Sequence, residues 1–216
     1  MNYSVVLPCA GIGSRMNLGY NKLLLKMANG RTVLENTLQV FIDDKRCREI
    51  ILAIGENDKE VIETLVSDRR IALVLGGATR QESVYHGLLA CHEDYVLIHD
   101  GARPFLKSEA ISRILQCLET KNACLLMVPV KDTIKVVVSG VVKHTPKRET
   151  LFQAQTPQAF KRSLLLEAFN QANAQGFVGT DDASIMEAFG KEPVYLVEGD
   201  YDNIKITTPE DLRLDK

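Results

Sequence analysis

Two cations stand within and just behind a glycine-rich stretch near the start of the chain: Arg15 in Gly11-Ile12-Gly13-Ser14-Arg15-Met16, then Lys22. Glycines there permit positive φ and let backbone N–H groups approach an anion, while Arg15 and Lys22 supply fixed positive charge, so the chemistry implied is that of phosphate. Spacing excludes two familiar glycine loops. A dinucleotide fingerprint needs a third glycine where Met16 stands, and a P-loop needs Gly-x-x-x-x-Gly-Lys-Ser/Thr, a string the chain lacks. A plain glycine turn carrying two surface cations would use the same residues.

Four further constellations place charged or polar groups at the ends of apolar runs or at helix starts. Ile98-His99-Asp100-Gly101-Ala102-Arg103-Pro104 ends an apolar run, and a carboxylate such as Asp100 beside phosphate is a natural Mg²⁺ ligand, or else a cap for the next segment. Gly76-Gly77-Ala78-Thr79-Arg80-Gln81-Glu82-Ser83 opens a helix whose N-terminus could receive a base edge or an anion. Thr180-Asp181-Asp182-Ala183-Ser184 pairs two carboxylates that suit general acid–base work, yet a helix start enriches acids without any catalytic purpose, and capping is preferred for Asp182. In Asp202-Asn203-Ile204-Lys205-Ile206-Thr207 a short strand would bury the two isoleucines and turn Lys205 to the opposite face, into a cleft.

Periodicity supplies the scaffold for these groups. Short runs at Ser4 to Leu7, Glu49 to Ile54, Ile71 to Leu75, Tyr95 to His99 and Ala123 to Val128 are apolar on both faces, as buried parallel strands are. Helices between them start at Thr32-Val33-Leu34-Glu35, Asn57-Asp58-Lys59-Glu60 and Thr79-Arg80-Gln81-Glu82, all with capping-box spacing. The βαβ rhythm implies a parallel sheet with helices on both sides and ligands beyond the strands' carboxyl ends. After Pro129 the rhythm breaks. Thr133 to Val138, Ser139-Gly140 and Val141 to Thr145 read as a β-hairpin with a two-residue turn. No helix in sequence covers it, so it packs against a second copy of the chain, the economical partner, or folds back on its own sheet. Helices at about Lys161 to Asn173 and Asp181 to Phe189, a strand at Val194 to Val197 and a short helix begun by Thr208-Pro209-Glu210 complete the pattern.

With 216 residues, 45% of them apolar, and a formal net charge of -2, the chain can bury one sizeable core and has no overall basic field for a nucleic-acid polymer or an anionic membrane. The opening apolar run stops at Pro8, far short of the roughly 20 residues of a membrane span, and a cytoplasmic location is expected. The odd cysteine count, five, without a Cys-x-x-Cys pair, points to buried free thiols rather than a disulfide framework or zinc site. Cys91 and His92 are adjacent and on a helix would diverge, so they share no metal.

Taken in order, these strings resemble the nucleotidyltransferases that activate sugar or polyol phosphates, most closely the 2-C-methyl-D-erythritol 4-phosphate cytidylyltransferase family. The resemblance covers nearly the whole chain, adding Pro129-Val130-Lys131-Asp132-Thr133 and Gln155-Thr156-Pro157-Gln158 to the stretches above. It implies a Rossmann-like three-layer α/β/α fold with a mostly parallel central sheet, one nucleotidyltransferase domain over 1–216, and a dimerisation β-arm at about 131–151. The implied reaction transfers CMP from CTP to methylerythritol phosphate, giving a CDP-linked polyol and pyrophosphate for isoprenoid precursor synthesis by the non-mevalonate route. Carried onto this chain, Arg15, Lys22 and Lys205 are catalytic, Asp100 holds Mg²⁺ or another divalent cation, and Ala10, Gly11, Gly13, Gly77, Ala78, Ser83 and Gly101 bind the nucleotide. Arg103, Thr133, Arg148, Thr180, Asp181 and Lys205 hold the polyol phosphate, with Arg148 supplied by the neighbour in a homodimer. The chain departs from the family pattern at Cys9, at Asn21 and Leu23 around Lys22, and at Ala78. Ribitol 5-phosphate cytidylyltransferase is the nearest alternative, although Asp100-Gly101-Ala102-Arg103 looks more like the methylerythritol enzyme. A non-catalytic nucleotide-binding protein is the alternative from another class, and retention of Arg15, Lys22, Asp100 and Lys205 argues against it.

Overall fold

A computed structural model of the chain describes residues 1–11, 19–208 and 210–211. In chain order the elements are β1 Tyr3–Pro8, α1 Val33–Asp43, β2 Cys47–Ile54, α2 Lys59–Leu65, β3 Ile71–Leu75, α3 Arg80–Leu89, β4 Tyr95–Ile98, α4 Ser108–Leu118 and β5 Ala123–Pro129. There follow β6 Val136–Val138, β7 Val141–His144, β8 Phe152–Lys161, α5 Arg162–Ala174, α6 Asp182–Phe189 and β9 Tyr195–Glu198. Seven strands form one sheet in the order β3-β2-β1-β4-β8-β5-β9. All neighbours run parallel except β8, which is antiparallel to both β4 and β5.

Alternation along each central strand sends side chains into two separate cores. Val5, Leu7, Ile50, Leu52 and Leu97 pack with Leu34 and Phe41 of α1 and Ile114 of α4 on one face. Val6, Ile51, Val96 and Ile98 pack with α3, α5 and α6 on the other. The result is the expected three-layer, Rossmann-like α/β/α arrangement.

Two of the three expected capping boxes form, at Thr32 with Glu35 and at Thr79 with Glu82. The third does not. A 3-10 turn at Glu56–Asp58 occupies the start of α2, Asp58 makes no side-chain cap, and its carboxylate accepts instead from Asn21 Nδ2 at 2.7 Å. No strand carries Lys205, because residues 203–207 are irregular, although Ile206 is buried as the alternation requires. The short helix expected at Thr208-Pro209-Glu210 lies partly outside the described residues.

Sequence periodicity misses β8 altogether. Its middle is polar, Gln155-Thr156-Pro157-Gln158, and a proline argues against a central strand. The proline is accommodated where the β5–β8 register shifts between Leu125 and Met127, so no ladder N–H is needed from it.

The hairpin has the expected turn: Ser139 (φ 50°) and Gly140 (φ 76°) both lie in the left-handed region that a type I′ turn demands. Strands β6 and β7 form a sheet of their own, so the alternative of folding back onto the main sheet is overturned. Val137, Val138, Val141 and Val142 are each more than half exposed.

Helix α3 lies against β1 at Gly87, where an added Cβ would meet Val6 Cγ1 at 2.4 Å. Gly87→Ala is therefore expected to destabilise the fold by about 1–3 kcal/mol through overpacking, outweighing the gain in helix propensity. Equilibrium urea unfolding measures it; unchanged or raised stability would show that the helix can shift without cost.

Candidate active site

The strand order reverses at β1. From there the chain runs outward through β2 to β3, then jumps back to place β4 on the other side of β1. Loops leaving the carboxyl ends of β1 and β4 consequently diverge, and ligands in open α/β sheets bind in such a crevice. The structure has a cleft of about 400 Å³ there.

Ala10 and Gly11 continue β1 along one wall, and Gly77, Ala78 and Ser83 line it from the start of α3. Gly76 has no room for a side chain, since a Cβ would meet that of Ala10 at 2.6 Å. The loop before α3 is held open by the Ser83 hydroxyl, which accepts from Gly77 N at 3.1 Å and donates to Thr79 O at 2.9 Å.

Lys22 lines the cleft at the start of a 3-10 turn, Lys22–Leu24. The departure from the family pattern at Asn21 has a structural use. Buried Asn21 donates to Cys9 O at 2.9 Å and to Asp58 Oδ2, while its Oδ1 accepts from Leu23 N at 3.1 Å, fixing the turn against the end of β1. Lys22 Nζ then donates to Ile206 O at 2.7 Å, across the cleft.

Asp100 lies at the end of β4 with three cations around it: Lys205 Nζ at 2.9 Å from Oδ2, Arg103 Nε at 3.4 Å from Oδ2, and Arg80 Nε at 3.4 Å from Oδ1. Burial alone would raise its pKa, but Arg80, then Lys205 and Arg103, outweigh burial and hold the carboxyl well below the usual carboxylate range. Its neighbour His99 is fully buried. Because Arg103 O can only accept, His99 Nε2 donates to it at 3.2 Å, which leaves Nδ1 to accept from Thr156 Oγ1 at 3.1 Å. Thr156 Oγ1 in turn accepts from Asp100 N at 3.0 Å. Burial pulls the His99 pKa down to about 4, so the ring adds no charge at neutral pH.

Arg80 and Asp182 form a bidentate pair. Arg80 Nη2 donates to Asp182 Oδ2 at 2.8 Å and Nη1 to Oδ1 at 3.1 Å. Asp182 is 0% exposed, and capping of α6 falls to Asp181, whose Oδ1 accepts from Ser184 N at 2.9 Å. Both roles considered for Asp182 from sequence thus give way to a third, partner of a cation that lines the cleft. Nothing in its spacing could reveal this, because Arg80 is 102 residues away.

The Lys205 loop is fastened to the β4 side. Ile206 N donates to Ala102 O at 2.8 Å and Arg103 Nη1 to Asn203 O at 2.6 Å. Lys107 Nζ pairs with Asp200 at 2.5 Å and Asp202 at 3.1 Å.

The cleft therefore gathers Ala10, Gly11, Lys22, Gly77, Ala78 and Ser83 with Asp100, Gly101 and Lys205. Arg103 is packed beside Asp100, its side chain 12% exposed. Thr180 and Asp181 stand at the start of α6, where Asp181 Oδ2 also accepts from Gln158 Nε2 at 2.7 Å. Thr133 and Arg148 belong to the hairpin region; Arg148 Nη1 donates to Lys131 O at 3.2 Å, and neither residue lines the cleft. Gly13 and Arg15 lie outside the described residues.

A three-layer α/β/α sheet whose switch-point cleft gathers small residues, cations and a carboxylate has the architecture of the nucleotidyltransferase class. A family model described as IspD, 2-C-methyl-D-erythritol 4-phosphate cytidylyltransferase, matches residues 3–216. A protein of that name from Bacillus pumilus is 46% identical, covering 100% of this chain and 96% of its own. The solved structure of 4-diphosphocytidyl-2C-methyl-D-erythritol synthase from Anaerococcus prevotii superposes with a TM-score of 0.89 at 35% identity, covering 99% of this chain and 94% of its own. That of the Francisella tularensis 2-C-methyl-D-erythritol 4-phosphate cytidylyltransferase gives 0.85, also at 35% identity, covering 99% and 97%. The chain belongs to the 2-C-methyl-D-erythritol 4-phosphate cytidylyltransferase family. It is thus an enzyme, a cytidylyltransferase that uses CTP. No helix among the described residues is long and apolar enough to cross a membrane.

The cysteines are free thiols, four of them buried; Cys117 is partly exposed, because it falls between the buried positions of amphipathic α4. Cys91 and His92 lie beyond the end of α3 rather than on a helix, and they still have different partners: the thiol donates to Gly87 O at 3.3 Å and the ring pairs with Glu49 at 2.8 Å. Burial pushes the Cys47 and Cys91 thiols up to about 12 and raises Cys9, in the cleft wall, further. Iodoacetamide near neutral pH is expected to modify Cys117 alone until denaturant is added, as read by mass spectrometry. Modification of Cys9 in the native protein would contradict its placement.

Proposed function

We propose that this cleft transfers the cytidylyl group of CTP to the phosphate of 2-C-methyl-D-erythritol 4-phosphate, in isoprenoid precursor synthesis. The observation that carries the reading is the convergence of Lys22, Asp100 and Lys205 where β1 and β4 diverge. A phosphate oxygen of the acceptor attacks the α-phosphorus, and the bond to the leaving pyrophosphate breaks. The nucleophile is already ionised, so no general base is required and catalysis rests on positioning and charge.

Lys22, with Arg15, holds the triphosphate and stabilises charge growing on the α-phosphoryl group. Cytosine and ribose lie along Ala10, Gly11, Gly13, Gly77, Ala78, Ser83 and Gly101. Lys205 orients the acceptor phosphate, with Arg103, Thr133, Thr180 and Asp181 on the acceptor side. Asp100 fits a divalent cation: it is an ionised carboxylate at the cleft, and Mg²⁺ takes one or two carboxylates with the rest of its shell from phosphate and water. Among the described residues no group of three or more His, Cys, Asp or Glu could cage an ion unaided, so phosphate oxygens would complete the shell. When bound, Mg²⁺ supplies neutralisation of triphosphate charge. The exposed valines of β6 and β7 support a homodimer in which the arm delivers Arg148 to the neighbouring site. A cytoplasmic location, beside the pool of CTP, goes with this activity.

A pyrophosphate-release assay crossing CTP, UTP and ATP with methylerythritol 4-phosphate and ribitol 5-phosphate is expected to show turnover chiefly for CTP with the former. Preference for ribitol 5-phosphate would sink the acceptor assignment. Lys22→Ala and Lys205→Ala should each lower kcat by about 100-fold or more without unfolding the protein. Near-normal release would remove their roles.

Sharing of Arg148 has its own test. Lys22→Ala and Arg148→Ala proteins, each inactive, should regain activity when unfolded together and refolded, because a mixed dimer then holds one complete site. No recovery, with mixed dimers demonstrated, would place Arg148 in its own protomer's site.

A further inference from the structure

We propose that Asp182 is a positioning residue that ties Arg80 back from Asp100 and so keeps one carboxylate oxygen of Asp100 available to the divalent cation of the triphosphate. The inference rests on the metal role proposed above for Asp100.

The contacts of Arg80 are unequal. Its two terminal nitrogens reach Asp182 at 2.8 and 3.1 Å, whereas Nε stands 3.4 Å from Asp100 Oδ1. A charge-assisted N–H···O bond normally closes to about 2.7–2.9 Å, so the grip on Asp100 is the loose one. Oδ2 of Asp100 is already engaged by Lys205 at 2.9 Å and by Arg103 at 3.4 Å. Oδ1 is therefore its lightly held oxygen.

Both ends of the Arg80–Asp182 pair are anchored, which is what allows it to act as a tie. Arg80 opens α3 directly after the Thr79 capping box. Asp182 opens α6, whose start is gripped by Gln158 of β8: Nε2 donates to Asp181 Oδ2 at 2.7 Å and Oε1 accepts from Ala183 N at 2.8 Å. A fork-on-fork pair fixes the guanidinium plane as well as its distance. Asp182 is fully buried and cannot touch substrate, so any effect it has on the reaction passes through Arg80. With Asp182 neutralised, Asp100 is the carboxylate that remains paired with Arg80 among the described residues. The guanidinium would close onto Oδ1 and compete with the cation for it.

The sign of this coupling distinguishes it from simple loss of packing. Binding of Mn²⁺ in the presence of CTP is measured by electron paramagnetic resonance and calorimetry on the full chain, beside CTP binding without metal. Asp182→Asn is expected to weaken Mn²⁺ binding about tenfold or more, the usual scale for a partner behind a metal ligand, while metal-free CTP binding stays within twofold. Adding Arg80→Met to Asp182→Asn removes the competing charge and should recover most of the loss, making the double variant better than the single. If Asp182→Asn alone does not fold, the double variant, which leaves no unpaired buried charge, is compared with the unaltered protein, and near-equal Mn²⁺ affinity is expected.

An Asp100→Asn control separates the two readings. Unchanged Mn²⁺ binding in that control overturns the metal role of Asp100, and this inference with it. Loss there, combined with no effect of Asp182→Asn or no recovery in the double variant, overturns the tie by Asp182 and leaves the metal reading standing.

Discussion

One buried carboxylate organises the site. An ionised Asp100 without partners would cost several kcal/mol in desolvation, a large share of what holds a domain of this size together. Two of its three cations come from distant parts of the chain, Arg80 from the start of α3 and Lys205 from the segment after β9, while Arg103 stands in the turn just after β4. Folding must deliver all three together, and the segments that deliver them flank the cleft where β1 and β4 diverge. Neutralising Asp100 and shaping the site are the same requirement.

Strand β8 makes that arrangement possible. Running against its neighbours between β4 and β5, it buries polar side chains that would be costly in an apolar sheet and turns them to the site loops. Thr156 links Asp100 to His99, Gln158 holds the start of α6, and Gln155 Nε2 donates to Asp200 O at 2.8 Å in the Lys205 segment. His99 stays neutral at the centre of this network, so the charge balance around Asp100 is set by the three cations and by Asp182 behind Arg80.

Much of this was legible in the sequence, for physical reasons that can be named. Doubly apolar runs marked the parallel strands, two real capping boxes marked α1 and α3, and Ser139-Gly140 marked the turn of the arm. Lys22 stood out behind the glycine-rich stretch, Asp100 at the end of an apolar run and Lys205 between two isoleucines, and the cleft gathers all three. What could not be read depended on long-range pairing. Asn57 had capping spacing, but Asn21 recruited Asp58 into a different bond. The polar centre and proline of β8 hid a central strand, because its side chains are satisfied by loops far away in sequence. Asp182 looked like a cap because local spacing cannot show an arginine on another helix.

In the mechanism proposed for this chain, the carboxyl ends of β1 and β4 seat CTP with its α-phosphate facing Lys205 and its metal on Asp100. The decisive measurement is a crystal structure of the protein with Mg²⁺ and a non-hydrolysable CTP analogue. The base is expected along Gly77 and Ala78, the triphosphate against Lys22, and the ion within coordinating distance of Asp100. A triphosphate seated out of reach of Lys22, or an ion bound away from Asp100, would contradict that mechanism.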